Sequence, residues 1–243
     1  MYRFLLRPQW LAFHAAVLLL MPTFVLLGFW QLDRLDQRQA HNALVSANAT
    51  ATAVEVGALL RPGQPPAPDL EWRRTSAVGR YQPDRQLLLR NRPYRGRFGF
   101  WVLAPLVTRD GRVLLVNRGW VAPGSNAAAT PVVPPPPAGE VSVVGRLRLP
   151  SLDQAPPAQG LPVGQTDRID PLQASTGLGR PGYLGYLELT EQRPAGSDQP
   201  STLPSPQTPE GPHLAYAVQW FLFTGLLPVG WWLLIRREGD NRR

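Results

Sequence analysis

The chain has 243 residues, with 25 basic residues, all Arg, 17 acidic residues, three His and no Cys. It also contains 28 Pro and 22 Gly, while hydrophobic residues reach 44%, so Pro-rich loops and apolar ordered segments must alternate along the sequence. The lack of Cys excludes disulfides, iron–sulfur clusters, thiol catalysis and the usual structural zinc sites, and with only two Met a thiolate or thioether copper site has no support.

The first predicted element is a membrane-spanning helix at residues 10–30, preceded by a short cytoplasmic tail at residues 1–9. The run has no formal charge, and eleven of its residues are Leu, Phe or Val. At 1.5 Å per residue it is about 32 Å long, enough to cross a bilayer. A signal peptide is the alternative, because Ala47-Asn48-Ala49 has the form of a cleavage site. A charged segment separates that site from the apolar run, so we predict a retained span.

Residues 28–42 are expected to continue this helix beyond the bilayer. Trp30, Arg34 and Arg38 then share one face, because they are spaced four residues apart. The stripe has two interpretations. It is either an interfacial Trp with Arg heads on lipid phosphate, or an anion-binding surface for the carboxylates of a cofactor.

Residues 31–193 are predicted to form an extracytoplasmic, mainly antiparallel β domain, a small sheet or barrel. Six runs rich in Val, Leu and aromatic residues predict strands, at residues 72–82, 85–94, 99–108, 112–122, 141–149 and 183–192. Tight-turn sequences at 82–84 and 109–111 predict that the first strand pairs with the second and the third with the fourth. Pro-rich runs at 62–68, 131–139, 150–164 and 194–212 predict loops, the last being part of a linker at 194–213.

A second membrane span is predicted at residues 214–235, followed by a cytoplasmic tail at 236–243. Arg3 and Arg7 precede the first span, while four Arg at 236, 237, 242 and 243 follow the second. By the positive-inside rule both termini are cytoplasmic, in a bacterial cell membrane that the chain crosses twice. Residues 31–213 carry 19 Arg against 15 acidic residues, so much of the net charge lies beside lipid and nucleic acid is not expected as a partner.

The three histidines restrict the possible chemistry. His14 lies in the first span, His41 just outside it and His213 at the outer start of the second, so none lies in a predicted strand. A Ser-His-Asp hydrolase would have to recruit its base from the membrane edge, and no carboxylate pair has a recognisable spacing. We therefore expect no enzyme.

His213 is the candidate metal ligand. An imidazole at the membrane edge can ligate haem iron, and Tyr216 and Trp220 lie three and seven residues further along the same helix. The alternative is a tolerated interfacial His within an aromatic belt. His14 lies near the opposite end of its span, so it cannot share an iron with His213. A second histidine ligand would have to be His41 or come from another protein.

Three ordered motifs resemble the surfeit locus protein 1 family of cytochrome oxidase assembly factors. They are the helix exit Trp30-Gln31-x-x-Arg34, the sequence Asn117-Arg118-Gly119-Trp120, and the opening of the last span, His213-x-x-Tyr216-Ala217-x-x-Trp220. The resemblance implies a role in maturing an aa3-type haem-copper oxidase, with oxidase subunit I and other assembly factors as partners. It also implies that haem a is held by the histidine at the start of the last span, which is His213 here. The helical positions of Tyr216, Trp220, Trp30 and Arg34 make these four the other candidate cofactor-binding residues.

Two rival functions remain: a haem-free chaperone of oxidase subunit I, and a doubly tethered extracytoplasmic sensor or binding module. The Asn-Arg-Gly-Trp motif likewise has a structural interpretation beside a functional one. In the structural interpretation Gly119 permits close backbone approach and Trp120 fills the core of the sheet.

Overall fold

The computed structural model describes residues 3–124, 131–150, 158, 160–196 and 198–241. The chain divides into two compact units. One consists of Met1–Ala43 with Thr208–Arg243, and the other of Leu44–Gln207. The Arg pair at 242 and 243 used in the topology argument, and most of the predicted loop at 150–164, lie outside the described residues.

Two long helices dominate the first unit: α1 (Pro8–Thr50) and α4 (His213–Asp240). Both are long and apolar enough to cross a membrane, and almost none of their apolar stretches is buried. A 3-10 turn at Arg3–Leu6 precedes α1. The predicted extension of the first helix beyond its span is confirmed, because α1 continues without a break to Thr50.

Among the described residues of the second unit, the structure has eight strands and two short α-helices. The helices are α2 (Val56–Leu59) and α3 (Pro171–Thr176). The strands are β1 (Val54–Glu55), β2 (Arg74–Tyr81), β3 (Leu87–Tyr94), β4 (Arg97–Thr108), β5 (Val113–Val121), β6 (Val141–Arg148), β7 (Gln165–Thr166) and β8 (Gly182–Arg193). The six predicted strands are all present within a few residues of their predicted ends, and only the two-residue strands β1 and β7 were not predicted.

The strands form one sheet in the order β1-β2-β6-β8-β5-β4-β3-β7, with a further pairing between β2 and β4. That pairing closes β2, β6, β8, β5 and β4 into a ring. The sheet is mixed, because β1–β2, β3–β7 and β5–β8 are parallel. The prediction of a mainly antiparallel sheet is therefore wrong. After α3 the chain enters β8 between β6 and β5, where it is antiparallel to the first and parallel to the second.

Of the two predicted hairpins, one is confirmed and one is wrong. β4 and β5 pair antiparallel around the turn at 109–111, with Val107 opposite Val113. β2 and β3 do not pair with each other. Residues Pro83–Arg85 form a 3-10 turn, and the end of β2 pairs with β4 instead, Tyr81 lying opposite Leu106. The turn sequence at 82–84 thus ends a strand without returning the chain beside it.

Alternate residues of the ring strands form the main core. This core includes Ala77, Leu106, Val116, Val143 and Leu187, all almost fully buried, because side chains two apart along a strand point to the same face. A second cluster on the other face contains Leu89, Leu103, Leu115 and Tyr186, with Ile169 and Ala174 packed against it. Within the second unit, the helix α3 thereby covers part of the sheet.

The predicted linker at 194–213 has little regular structure, but both halves are held. In its first half, Ser201 and Trp120 exchange two backbone hydrogen bonds of 2.8 Å, and the carbonyl of Leu203 accepts one from Arg146 at 3.0 Å. In its second half, the carbonyl of Thr208 accepts a hydrogen bond from Asn42 Nδ2 on α1 at 2.9 Å. The segment is therefore more than a free tether. We call residues 200–203 the strap.

Candidate functional site

The helices α1 and α4 pack antiparallel through a regular series of contacts. Gln31 contacts His213, Phe24 contacts Trp220 with ring centroids 5.3 Å apart, and His14 contacts Trp231. Residue numbers fall along α1 as they rise along α4, which is the signature of an antiparallel pair. At Gly28 the helices approach closely, because a Cβ there would lie 2.7 Å from the ring of Phe221.

His213 is the first residue of α4, and its ring is fixed by a partner on the other helix. Its Nδ1 lies 2.9 Å from Gln31 Oε1. An amide oxygen can only accept, so Nδ1 carries the proton and donates it, and Nε2 keeps a free lone pair. A hydrogen bond of this kind fixes both the tautomer and the ring orientation of metal-ligating histidines. The local geometry thus presents Nε2 as a ligand atom.

Space beside that nitrogen depends on Gly211. Its φ is +77°, a conformation that glycine adopts without strain, and a Cβ at this position would lie 3.4 Å from Nε2 and 3.3 Å from Cδ2 of His213. Any other residue would therefore crowd this edge of the ring, and glycine crowds it least. The free lone pair of Nε2 is the feature that suits iron ligation here.

The other predicted site residues lie on the same two helices but make separate contacts. Tyr216 is 46% exposed, and Trp220 packs on Phe24. Trp30 is half-exposed, with the guanidinium carbon of Arg34 5.6 Å from its ring centroid. Arg34 also donates to Gln37 at 3.0 Å. The structure brings His213 to Gln31, while Trp30 and Arg34 form an exposed cation–π pair on α1.

The remaining histidines do not join His213. Nδ1 of His14 accepts a hydrogen bond of 2.8 Å from the indole N–H of Trp231. Trp231 lies eighteen residues beyond His213 on the continuous helix α4, which is about 27 Å at 1.5 Å per residue. His41 is exposed and lies ten residues beyond Gln31 on α1, or about 15 Å. Within the described residues, no three His, Cys, Asp or Glu side chains are grouped as a metal site.

All four residues of the motif at 117–120 are buried in β5. Trp120 stacks on Tyr94 with centroids 5.1 Å apart and donates to the carbonyl of Arg92 at 2.9 Å. Gly119 has a φ of +127°, and a Cβ there would lie 2.4 Å from the carbonyl oxygen of Ser201. The motif therefore holds the strap against β5 through the contacts of Gly119 and Trp120 with Ser201. The close approach at Gly119 is the one predicted on structural grounds, but its partner is Ser201.

Arg118 of the same motif holds the polyproline segment. It is 2% exposed and donates to the carbonyls of Pro134 and Pro135 at 2.8 and 3.1 Å, and to Gln86 at 2.8 Å. Burial lowers the pKa of Arg118, and the nearby Tyr81 opposes that shift. Burial also raises the pKa of Tyr81 well above its usual range. The buried guanidinium thus binds the segment around Pro134 and Pro135 to the sheet, although its composition alone predicts a loose linker.

A buried ion pair lies where the strap leaves the sheet. Glu188 on β8 is 3% exposed and accepts hydrogen bonds from Arg146 at 2.7 Å and from Arg148 at 3.0 Å. Arg146 also donates to Leu203 in the strap, and Arg148 lies 3.6 Å from the ring centroid of Trp72. These charges are compensated inside the domain, so they act in packing and not as an open binding site.

Sequence reasoning missed two contacts of the helix pair, Gln31 with His213 and Trp231 with His14, and the close approach of Gly211 to the His213 ring. Gln31 had a signal, because it lies within the Trp-Gln-x-x-Arg motif at the end of the first span. A polar amide there implies a polar partner on another helix. The identity of that partner depends on how the two helices are aligned, which neither segment encodes alone.

Two long apolar helices flank a mixed β domain in the sequence, and all three histidines lie on these helices. The model of the SURF1 family matches residues 18–225. An uncharacterized SURF1-like protein of Mycobacterium bovis is 34% identical over 232 residues, covering 93% of this chain and 83% of the relative. A SURF1-like protein of Rickettsia felis is 28% identical over 109 residues, or 44% of this chain and 45% of the relative. The chain belongs to the SURF1 family, which is associated with cytochrome oxidase assembly.

Proposed function

We propose that this protein is a membrane-anchored assembly factor that holds haem a and delivers it to subunit I of an aa3-type oxidase. The observation that carries the proposal is the contact between His213 and Gln31, which leaves Nε2 as a free ligand atom. Family membership supports the connection with the oxidase. Haem, when bound, would supply an iron that the imidazole of His213 could ligate.

The residues around His213 fit the rest of such a group. Tyr216 and Trp220 offer aromatic surface on α4, on the side of the helix that continues from His213. The exposed guanidinium of Arg34 and the half-exposed indole of Trp30 offer a cation and a ring surface near the exit of α1. A guanidinium suits the carboxylates of a porphyrin, because it can donate two parallel hydrogen bonds. His213 would then be the one histidine of this chain that holds the group, which suits a role in delivery.

Membrane anchoring is part of the proposal. Most of the large apolar side chains exposed on the described chain, among them Leu18, Leu26, Leu222 and Leu226, lie on α1 and α4. Such surface is stable in hydrocarbon and unstable in water. We place the chain in the bacterial cell membrane with both termini in the cytoplasm, following the Arg positions. A reporter fused at residue 60 or 200 should then be active only outside the membrane, and one fused after Arg243 only inside.

The protein is proposed to bind and position, and not to catalyse. All three histidines lie on the two long helices, so a base for acyl transfer is not available from the strands of the sheet. The ion pairs of Glu188 are engaged with Arg146 and Arg148, which does not suit acid–base chemistry.

The test is the haem content of the full chain purified from membranes that synthesise haem a. His213→Ala should lose haem, while His14→Ala and His41→Ala should retain it, because neither residue approaches His213. Gln31→Leu should lower haem content, since Nδ1 then lacks its acceptor, and Gln31→Glu should preserve it. Unchanged haem in His213→Ala would refute His213 as the ligand, and a wild type that carries no haem would favour the haem-free chaperone. A spectral change in His41→Ala would instead require a site with two histidines.

A further inference from the structure

An apolar cavity of about 400 Å³ lies between α1 and α4. All nine residues that line it are apolar, and the one polar atom among their side chains, the indole nitrogen of Trp231, is already bonded to His14. The cavity is open rather than enclosed. Water has no polar partner there, so an apolar group is the only suitable occupant.

The cavity lies along the helix pair from the candidate haem ligand. The lining residue of α4 nearest to His213 is Phe223, ten residues further along the helix. The lining continues past Gly230 to Leu234. At 1.5 Å per residue, Phe223 is about 15 Å and Gly230 about 26 Å from His213 along the helix axis. Between His213 and the cavity, Trp220 packs on Phe24 of α1 with ring centroids 5.3 Å apart, and the Thr224 hydroxyl is bonded to the carbonyl of Trp220. An apolar chain that starts at His213 would therefore pass along aromatic surface on its way to the cavity.

We infer that this cavity receives the isoprenoid tail of haem a while His213 holds the ring. The inference rests on the proposed function. Haem a differs from protohaem in carrying a long apolar isoprenoid chain on its ring. If His213 held the ring, this chain would begin at the His213 end of the helix pair. Lipid acyl chains are the competing occupant. The tail has the advantage, because it is attached to a ring that is already bound and its local concentration is high.

The open side of the cavity is consistent with this occupant. A lipid chain is as apolar as the Leu and Phe side chains of the lining, so the tail gains little from hydrophobic transfer alone. Its contribution must come from packing against Phe24, Phe223 and Leu226, and is modest. Selectivity for haem a over protohaem is accordingly expected to be about tenfold, equivalent to about 1.4 kcal/mol. An open groove also lets the tail leave sideways when the haem is transferred.

Two glycines of α4 provide a matched test. Gly230 lines the cavity, while Gly225, one and a half turns earlier on the same helix, does not. A Cβ at either position meets no atom within 4 Å, so Leu can be introduced at both without a clash at Cβ. Leu is also a better helix former than Gly. Gly230→Leu should fill the cavity, and Gly225→Leu should add the same side chain elsewhere.

The experiment titrates the full chain in lipid nanodiscs with haem a and, separately, with protohaem, following the Soret band. Wild type and Gly225→Leu should bind haem a about tenfold more tightly than protohaem. Gly230→Leu should lose that difference and bind protohaem normally. Leu226→Trp, a second cavity-filling variant, should behave like Gly230→Leu.

The outcomes separate this inference from the proposed function. If both haems bind through His213 with equal affinity, and Gly230→Leu changes neither, the haem site stands and the cavity holds lipid, so the inference is wrong. If Gly225→Leu weakens haem a as much as Gly230→Leu does, the effect comes from altered helix packing, and the inference is again wrong. If neither haem binds, or His213→Ala binds as wild type does, the proposed function fails and the tail site fails with it.

Discussion

Replacing Gly119 with Ala tests how the strap is held against the sheet. Two penalties act at this position. The first is conformational, because a φ of +127° is unfavourable for any residue with a Cβ and residues held in such regions cost about 1–3 kcal/mol. The second is steric, because the new Cβ would lie 2.4 Å from the carbonyl oxygen of Ser201. Ser201 must therefore move away.

That movement breaks the pair of hydrogen bonds between Trp120 and Ser201, each 2.8 Å long. A net contribution of about 0.5–1.5 kcal/mol for each bond gives about 1–3 kcal/mol for the pair. The free energy of unfolding should therefore fall by about 2–6 kcal/mol in all, from the conformational and hydrogen-bond terms together. If the pair of hydrogen bonds between Trp120 and Ser201 loses about 1–2 kcal/mol, local opening of the strap should become about 5–30 times more frequent.

Gly139→Ala is the matched control. Gly139 also has a positive φ, +81°, but a Cβ there meets no atom within 4 Å. It should show only the conformational penalty, about 1–3 kcal/mol. Denaturant unfolding of the full chain in detergent measures both variants, and hydrogen exchange of the Ser201 amide measures the strap directly. Exchange should accelerate in Gly119→Ala alone. An unchanged Ser201 amide in Gly119→Ala would show that the contact with the strap does not constrain this glycine.

Two further predictions concern buried groups of the β domain. Burial raises the pKa of Tyr186 to about 12. Above pH 10 the unfolded chain therefore loses this proton before the folded chain does, and the free energy of unfolding falls as the pH rises. Urea unfolding at pH 8 and pH 11 should show that Tyr186→Phe removes about 1 kcal/mol of this fall. Glu188→Ala should lower the free energy of unfolding by about 3–5 kcal/mol, because Arg146 stays buried without its partner, whereas Glu188→Leu combined with Arg146→Met should recover most of it. Equal stability of the single and double variants would show that the ion pair is not the cause.

The elements that sequence predicted well are those with a local signal. Charge-free apolar runs predict the long helices α1 and α4, because the pattern is complete within each segment. The six long strands have the same property, since Val-rich and aromatic runs end at Pro, Gly or Asp. The position of His213 at the start of α4 is also visible in the sequence, because the apolar run begins directly after it.

The features that sequence reasoning missed are those that depend on distant pairing. The turn at 82–84 looks like a hairpin turn, yet β2 pairs with β4, a choice made by the closure of the ring and not by the turn. The parallel pairing of β8 with β5 likewise follows from where the chain returns after α3. Gln31 and His213 are 182 residues apart, and a shift of one residue along α1 would rotate Gln31 about 100° away from α4.

The polar contacts at the two ends of the helix pair explain why the candidate site lies where it does. Within apolar helices most of the surface is interchangeable, so few contacts can fix the alignment of one helix against the other. Gln31 with His213 and His14 with Trp231 lie at opposite ends of the pair, and sliding either helix breaks both at once. The stretch from Phe223 to Leu234 can then remain loosely filled, because Gly230 contributes no side chain and the two polar contacts keep the helices aligned. A ligand atom oriented at one end and an apolar cavity along the helices are thus two consequences of the same alignment.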